Sequence, residues 1–315
     1  MAYAFKGSTT FVRQKMTPMS LRDHIAARLN ACIAAAPIAH PIQLQGLDLV
    51  LSGSVLTTVD SNQMGPRDLS HFFFQNFFPQ NSGPDYHHFT SLGAFRNIIV
   101  SGRLRLSAVW KRFTAEEFRP FYEDHDMDGY QKRLEAGVAM EERFVRDTFF
   151  WSLTSPNLDS NDEQNMWNCF AGRDGVRLVF SITDVHTDLR QVYYPAATKG
   201  IPLLKQMMGV ARRYDKFLGF NGLSKMGFFY LPKMFKPENE TRLLIRRDRA
   251  RALGLAIQSH PDGYDYLDLP FDNPIAKISL HEVRLGPLAD ERVIQAILAA
   301  TPAYTAVPVL PYAAP

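Results

Sequence analysis

Three short stretches of the 315-residue chain hold the side chains best suited to chemistry. The first is Tyr86-His87-His88-Phe89-Thr90-Ser91. On a strand, His88 and Thr90 are two apart and share one face, and an imidazole beside a hydroxyl can hydrogen-bond a ribose. The second is Phe149-Phe150-Trp151-Ser152-Leu153-Thr154-Ser155-Pro156, an apolar strand that turns hydroxyl-rich. Ser152 and Thr154 again share a face, although serines at a strand end equally serve as turn chemistry. The third runs from Lys233 through Glu238, Glu240, Arg242 and Leu243 to Ile245. In extended conformation Glu238, Glu240 and Arg242 project to one side, with Leu243 and Ile245 on the other. This is either the charged outer face of an edge strand or a pair of carboxylates that positions a hydroxyl and stabilises positive charge developing on a sugar.

A competing site lies in an acidic turn, where Asp124, Asp126, Asp128, Gly129 and Glu135 fit the calcium-loop template D-x-D-x-D-G-x5-E. Gln131 stands where an apolar residue pairs two such loops, and no second loop occurs, so a solvated turn is the expectation. The chain has no G-x-G-x-x-G, no G-x-x-x-x-G-K-[ST], no G-x-S-x-G and no H-E-x-x-H. Cys32 and Cys169 are too far apart for a C-x-x-C pair. They read as free thiols in a reducing compartment, Cys169 buried beside Trp167 and Phe170. No metal is expected at the three stretches.

The elements that must position these residues follow from periodicity. Ser20 and Asp23 form a capping box, and Leu21, Ile25, Leu29 and Ile33 line one face of a helix that Pro37 stops. Residues 42–59 alternate as a strand or hairpin. Residues 61–85 gather Asn, Gln, Gly, Pro and Ser around an aromatic cluster and read as an ordered loop. Beyond Tyr86, short strands alternate with helices: a strand ending near Ser91, a helix ended by Gly102, and a second strand. A helix carrying Asp162, Glu163, Met166, Trp167 and Phe170 then precedes a buried strand from Gly175 to Phe180.

Composition excludes whole classes. With 46% apolar and 21% charged residues the chain is neither disordered nor of low complexity. Its 23 phenylalanines forecast an aromatic core. No apolar run reaches the roughly 18 residues that a bilayer requires. The apolar stretch at 31–38 lies late for a signal peptide and on a charged helix. A cytoplasmic protein is expected, or one secreted into a target cell without a cleavable signal. Residues 114–165 hold 13 acidic and 5 basic side chains, residues 199–251 hold 4 and 13. Solvated faces explain both blocks, and an anionic ligand would also explain the second.

Taken in order, the three stretches resemble an uncharacterised bacterial domain family, domain of unknown function 2971. The shared pattern includes a His-aromatic-Thr-Ser strand, a Ser strand followed by a Trp helix and a G-[IV]-x-[IL]-x-[FY] strand, and an E-x-E-x-R strand. It closes on a strand that runs into a glycine, here Ile278 to Gly286. The resemblance covers about residues 86–300. The same arrangement is similar to the three-part signature of ADP-ribosyltransferases. That likeness implies an α+β fold of two antiparallel sheets with flanking helices. It also implies NAD as cofactor, with His88, Thr90, Ser152 and Thr154 holding it, Glu240 as catalytic glutamate and Glu238 orienting the acceptor. His87 leaves the register of the first motif open. The implied activity is transfer of ADP-ribose to a macromolecular acceptor, protein or nucleic acid, as in a bacterial toxin or defence effector. NAD hydrolysis, or a non-catalytic binding protein on the same fold, are the alternatives. The implied division is an N-terminal extension (1–80), the transferase-like domain (81–300) and a C-terminal tail (301–315).

Overall fold

The computed structural model describes residues 20–59, 68–80, 85–111, 117–127, 134–135, 137–183, 185–196 and 199–313. Helix α1 (Leu21–Ala35) begins at the expected capping box, in which the Ser20 hydroxyl accepts from Asp23 N and the Asp23 carboxylate accepts from Ser20 N. Its Ile25, Leu29 and Ile33 are buried. The hairpin β1 (Leu49–Ser52) and β2 (Val55–Thr58) follows. The aromatic stretch is not a loop: α2 (Leu69–Phe77) starts at Asp68, whose carboxylate accepts from Ser70 N. Phe72, Phe73, Phe74 and Phe78 all go inward, while the other side of the helix carries the polar His71, Gln75 and Asn76, of which Gln75 is exposed. Each fully buried phenylalanine adds about 2–3 kcal/mol.

Strand β3 (Tyr86–Thr90) ends at Ser91, which caps α3 (Leu92–Ser101) by accepting from Ala94 N. Gly102 ends that helix at φ 61°, in the left-handed region that favours glycine, and leads into β4 (Arg103–Ala108). After the short α4 (Arg119–Asp124) and the two-residue strands β5 (Leu134–Glu135) and β6 (Val138–Ala139) comes β7 (Thr148–Thr154). Then follow β8 (Val176–Thr183), β9 (Asp188–Gln191), β10 (Phe217–Leu218), β11 (Glu240–Arg246), β12 (Ile257–Ser259), β13 (Asp265–Pro270), β14 (Lys277–Leu285) and β15 (Val309–Leu310).

Ten of these strands form one sheet. Its central stretch runs β9-β11-β7-β3-β8-β14-β15, and β4, β13 and β12 branch from the start of β7. The α+β class therefore stands, but the sheets are mixed. The β14/β15 pair is parallel, and so is β10 against β2 in the small sheet β1-β2-β10. One face of the large sheet buries Tyr86, Phe149, Trp151, Leu178, Leu243 and Ile245 against α3 and the helix Glu291–Ala299. The other face packs Phe150 and Leu244 against α1, α2 and the helix Pro202–Arg212.

Side chains of residues 20–59 and 68–80 share one continuous core with Phe121, Met207, Phe229 and Leu244. The final residues are equally built in: Val309 and Leu310 extend the sheet, and the Tyr312 ring meets Trp167 edge-on at 5.8 Å. No helix among the described residues is long and apolar enough to cross a membrane.

Candidate functional site

The three chemically marked strands lie side by side, in the order β11-β7-β3. Register then decides which residues meet. Thr154 pairs with Glu240 on one side and with His87 on the other. Side chains of directly paired residues lie on the same face, so His87, Thr154 and Glu240 form one row across three strands. Ser152 pairs with Arg242 and lies on that face as well. His88 and Thr90 point to the opposite face, where they line a cavity with Trp151. The expected set is therefore split by the thickness of the sheet. His87 takes the place in the row that the sequence reading gave to His88, because a one-residue step along a strand reverses the face.

The opposite cavity arises from a branch in the sheet. β11 pairs with the whole length of β7, whereas the other edge of β7 is shared, with β4 at Phe149 and Phe150 and β3 at Thr154. Between those contacts β3 and β4 diverge, and α3 bridges them. The resulting cavity of about 540 Å³ is lined by His88, Thr90, Asn97, Arg103, Arg105 and Trp151, among others. His88 Nδ1 lies 3.3 Å from both Trp151 Nε1 and the Ser152 carbonyl. When protonated there it donates to Ser152 O; otherwise it accepts from the indole. Arg105 pairs with Asp268 at 3.1 Å and rests over the Tyr266 ring.

On the row's own face, charge is buried and paired. Glu240 is 1% exposed and Arg242 2%. Arg242 Nε and a terminal nitrogen donate to the two Glu240 oxygens at 2.8 and 3.0 Å, and the guanidinium also reaches Glu117 at 2.8 Å and the Phe228 carbonyl at 2.8 Å. Burial alone lowers the Arg242 pKa, but the carboxylates of Glu240 and Glu117 outweigh it and raise the value above its ordinary one. Tyr194 OH accepts from Glu240 N at 2.9 Å, and burial and the nearby Glu240 charge raise the Tyr194 pKa.

His87 is pushed down to about 3, by burial first and then by Arg177 and Arg284, so it is neutral at pH 7. Arg177 and Arg284 face each other directly across β8 and β14. Like charges so placed repel, and each is matched by its own carboxylate, Glu163 and Glu282 respectively. His87 Nδ1, Trp167 Nε1, Arg177 Nε and Arg284 Nε are buried without a hydrogen-bond partner. Three of these groups surround Phe89: Trp167 at 5.1 Å, His87 at 6.5 Å and Arg177 at 5.9 Å.

Glu238 departs from its expected position. Lys233–Glu238 is a 3-10 turn, and Asn239 at φ 42° turns the chain before the strand begins at Glu240, so the two glutamates do not share a strand face. Nor is β11 an edge, since β7 and β9 flank it and Glu240 through Ile245 are all buried.

Of the acidic turn, Asp124 accepts from Tyr230 OH and Asp126 pairs with Arg212; Asp128 and Gly129 lie outside the described residues. Among the described residues no group of His, Cys, Asp and Glu is placed to hold a metal. Cys169 is exposed rather than buried, because its helical turn buries Trp167 and Ala171.

Sequence reasoning missed Glu117, Tyr194 and Arg177. Glu117 meets Arg242 across 125 positions, a separation that leaves no local signal, whereas the two-residue spacing of Glu240 and Arg242 is one that pattern alone can find. No protein-family model matches the chain, and neither curated proteins nor solved structures provide a match.

Proposed function

We propose that the protein is an NAD-consuming enzyme of the ADP-ribosyltransferase type, transferring ADP-ribose to a protein or nucleic-acid acceptor. The observation that carries this reading is the in-register row His87–Thr154–Glu240. It supports the three-part likeness because an imidazole, a hydroxyl and a carboxylate stand on one face of three adjacent strands. Two strand spacings separate His87 from Glu240, about 10 Å, with Thr154 between them.

The residues fit NAD in their donor set. His87 Nδ1 and Arg177 Nε are buried polar atoms without partners; the guanidinium N–H suits a phosphate or ribose oxygen and the imidazole nitrogen a ribose hydroxyl. When bound, NAD supplies an N-glycosidic bond whose cleavage leaves positive charge on the ribose. Within the chain, Arg242 fixes the Glu240 carboxylate through both oxygens, and each oxygen retains a lone pair for a ribose hydroxyl. Thr154 and neutral His87 orient the sugar.

The burial of Glu240 favours a second reading, a non-catalytic binding protein in which Glu240 and Arg242 only hold the strands. Nicotinamide release from labelled NAD, with and without a cell lysate, tests both. In the enzyme reading Glu240→Gln lowers release by roughly 100-fold, about 2.7 kcal/mol of transition-state stabilisation, and changes NAD affinity less. Unchanged release from folded Glu240→Gln protein, or none from the wild type with any acceptor fraction, sinks the enzyme reading.

A further inference from the structure

A second cationic cavity lies on the same face of the sheet as the row but at the far end of β11. Arg246 is six residues from Glu240, about 20 Å along an extended strand, and Arg242 and the Phe228 segment it bonds intervene. The cavity measures about 220 Å³; Arg246, Arg249, Lys225, His186 and Thr148 line it above a floor that includes Leu244.

The cations there exceed the carboxylates. Asp188 is the one carboxylate in the described lining, and it is already shared by Lys225 at 2.8 Å and Arg190 at 2.9 Å. Arg246 donates to the Thr148 hydroxyl at 2.9 Å and lies over the Phe144 ring, with no carboxylate in ion-pair contact among the described residues. The nearest acids act only from beyond contact: Asp147, which pairs with Arg247, and Asp248, which accepts from Arg249 N, both attract the guanidinium. A half-buried guanidinium with no counter-ion in contact is costly, and a bound oxyanion lowers that cost.

We propose that this cavity binds the terminal phosphate of a small phosphomonoester. Arg246 and Arg249 offer fork-shaped donors that match phosphate oxygens, and Lys225 adds a third cation from another element. At about 30 Å³ per water the volume takes a phosphate group and part of the moiety it terminates, and a group with one free end enters such a cavity more readily than a continuous diester backbone. The site is independent of the NAD reading, because it uses none of the residues in the row.

Calorimetric titration of the full chain with inorganic phosphate, with AMP and with a short oligothymidylate lacking terminal phosphates tests the proposal. Phosphate and AMP are expected to bind at one site, and the oligonucleotide is not. Arg246→Gln should weaken AMP binding at least tenfold, about 1.4 kcal/mol. Arg249→Gln, an exposed position, should weaken it several-fold without altering the melting temperature, which keeps the test open if the first variant fails to fold. Absence of saturable phosphate and AMP binding, equal binding by the folded variants, or oligonucleotide binding that Arg246→Gln or Arg249→Gln abolishes would each overturn it.

Discussion

Replacing Arg242 by Met keeps most of the side-chain volume but removes the cation that ties β11 to Glu117 and to the Phe228 carbonyl. The variant leaves Glu240 and Glu117 in one largely buried site without the guanidinium that both contact. Breaking a buried ion pair by deleting one member costs about 3–5 kcal/mol, and orphaning the carbonyl adds about 1–3 kcal/mol. Relaxation of the surrounding side chains and entry of water return part of this, so a net loss of about 4 kcal/mol is expected near pH 7. At about 2–4 °C per kcal/mol for a chain of this class, the melting temperature should fall by roughly 10 °C.

Urea denaturation measures the loss directly, and one control identifies its origin. The triple variant Glu117→Gln, Glu240→Gln, Arg242→Met should recover most of the stability, since replacing a whole buried ionic set by neutral groups is close to neutral. A loss below about 1 kcal/mol in Arg242→Met, or no recovery in the triple variant, would refute the view that this triad is a buried, mutually dependent unit.

Acid should destabilise the protein through its buried histidines. His125, 1% exposed, is held by bonds to Phe121 O and Ile201 N, and burial pushes it down to about 4 while His87 is near 3. Both are neutral when folded, whereas an unfolded histidine protonates near pH 6.5. Stability is therefore full above about pH 6.5 and is lost as pH falls toward 4. His125 alone accounts for about 3 kcal/mol at the low end, and denaturant midpoints that stay flat between pH 7 and about 4 would contradict this. The two thiols should also separate kinetically. Cys169 is exposed, while Cys32 is half-buried and burial raises its pKa, so Ellman's reagent should give one fast and one slow phase rather than two equal rates.

Local elements were written plainly along the chain. The capping box at Ser20, the stop after Ala36, the cap at Ser91 and the left-handed Gly102 each depend on residues within four positions of one another, so reading in order suffices. The same holds for the strands containing Thr154 and Arg242, whose apolar and β-branched runs are dense. The phenylalanines of α2 defeated pattern reading because they stand in adjacent positions, and only His71, Gln75 and Asn76 mark the polar side of a 9-residue helix, too short a stretch to set a clear period.

What tertiary structure alone decided is register and partnership. The sequence marked both His87 and His88, but only the pairing of His87 with Thr154 determines which imidazole shares a face with Glu240. A strand alternates faces at every residue, so the choice rests on long-range ladder bonds and not on residue type. Glu117 beside Arg242, Arg177 opposite Arg284, and the pairing of β3 and β4 with different parts of β7 likewise join segments far apart in the chain. Composition and spacing set the kinds of side chain available and the local elements that carry them; closing the sheet determined which of them face one another.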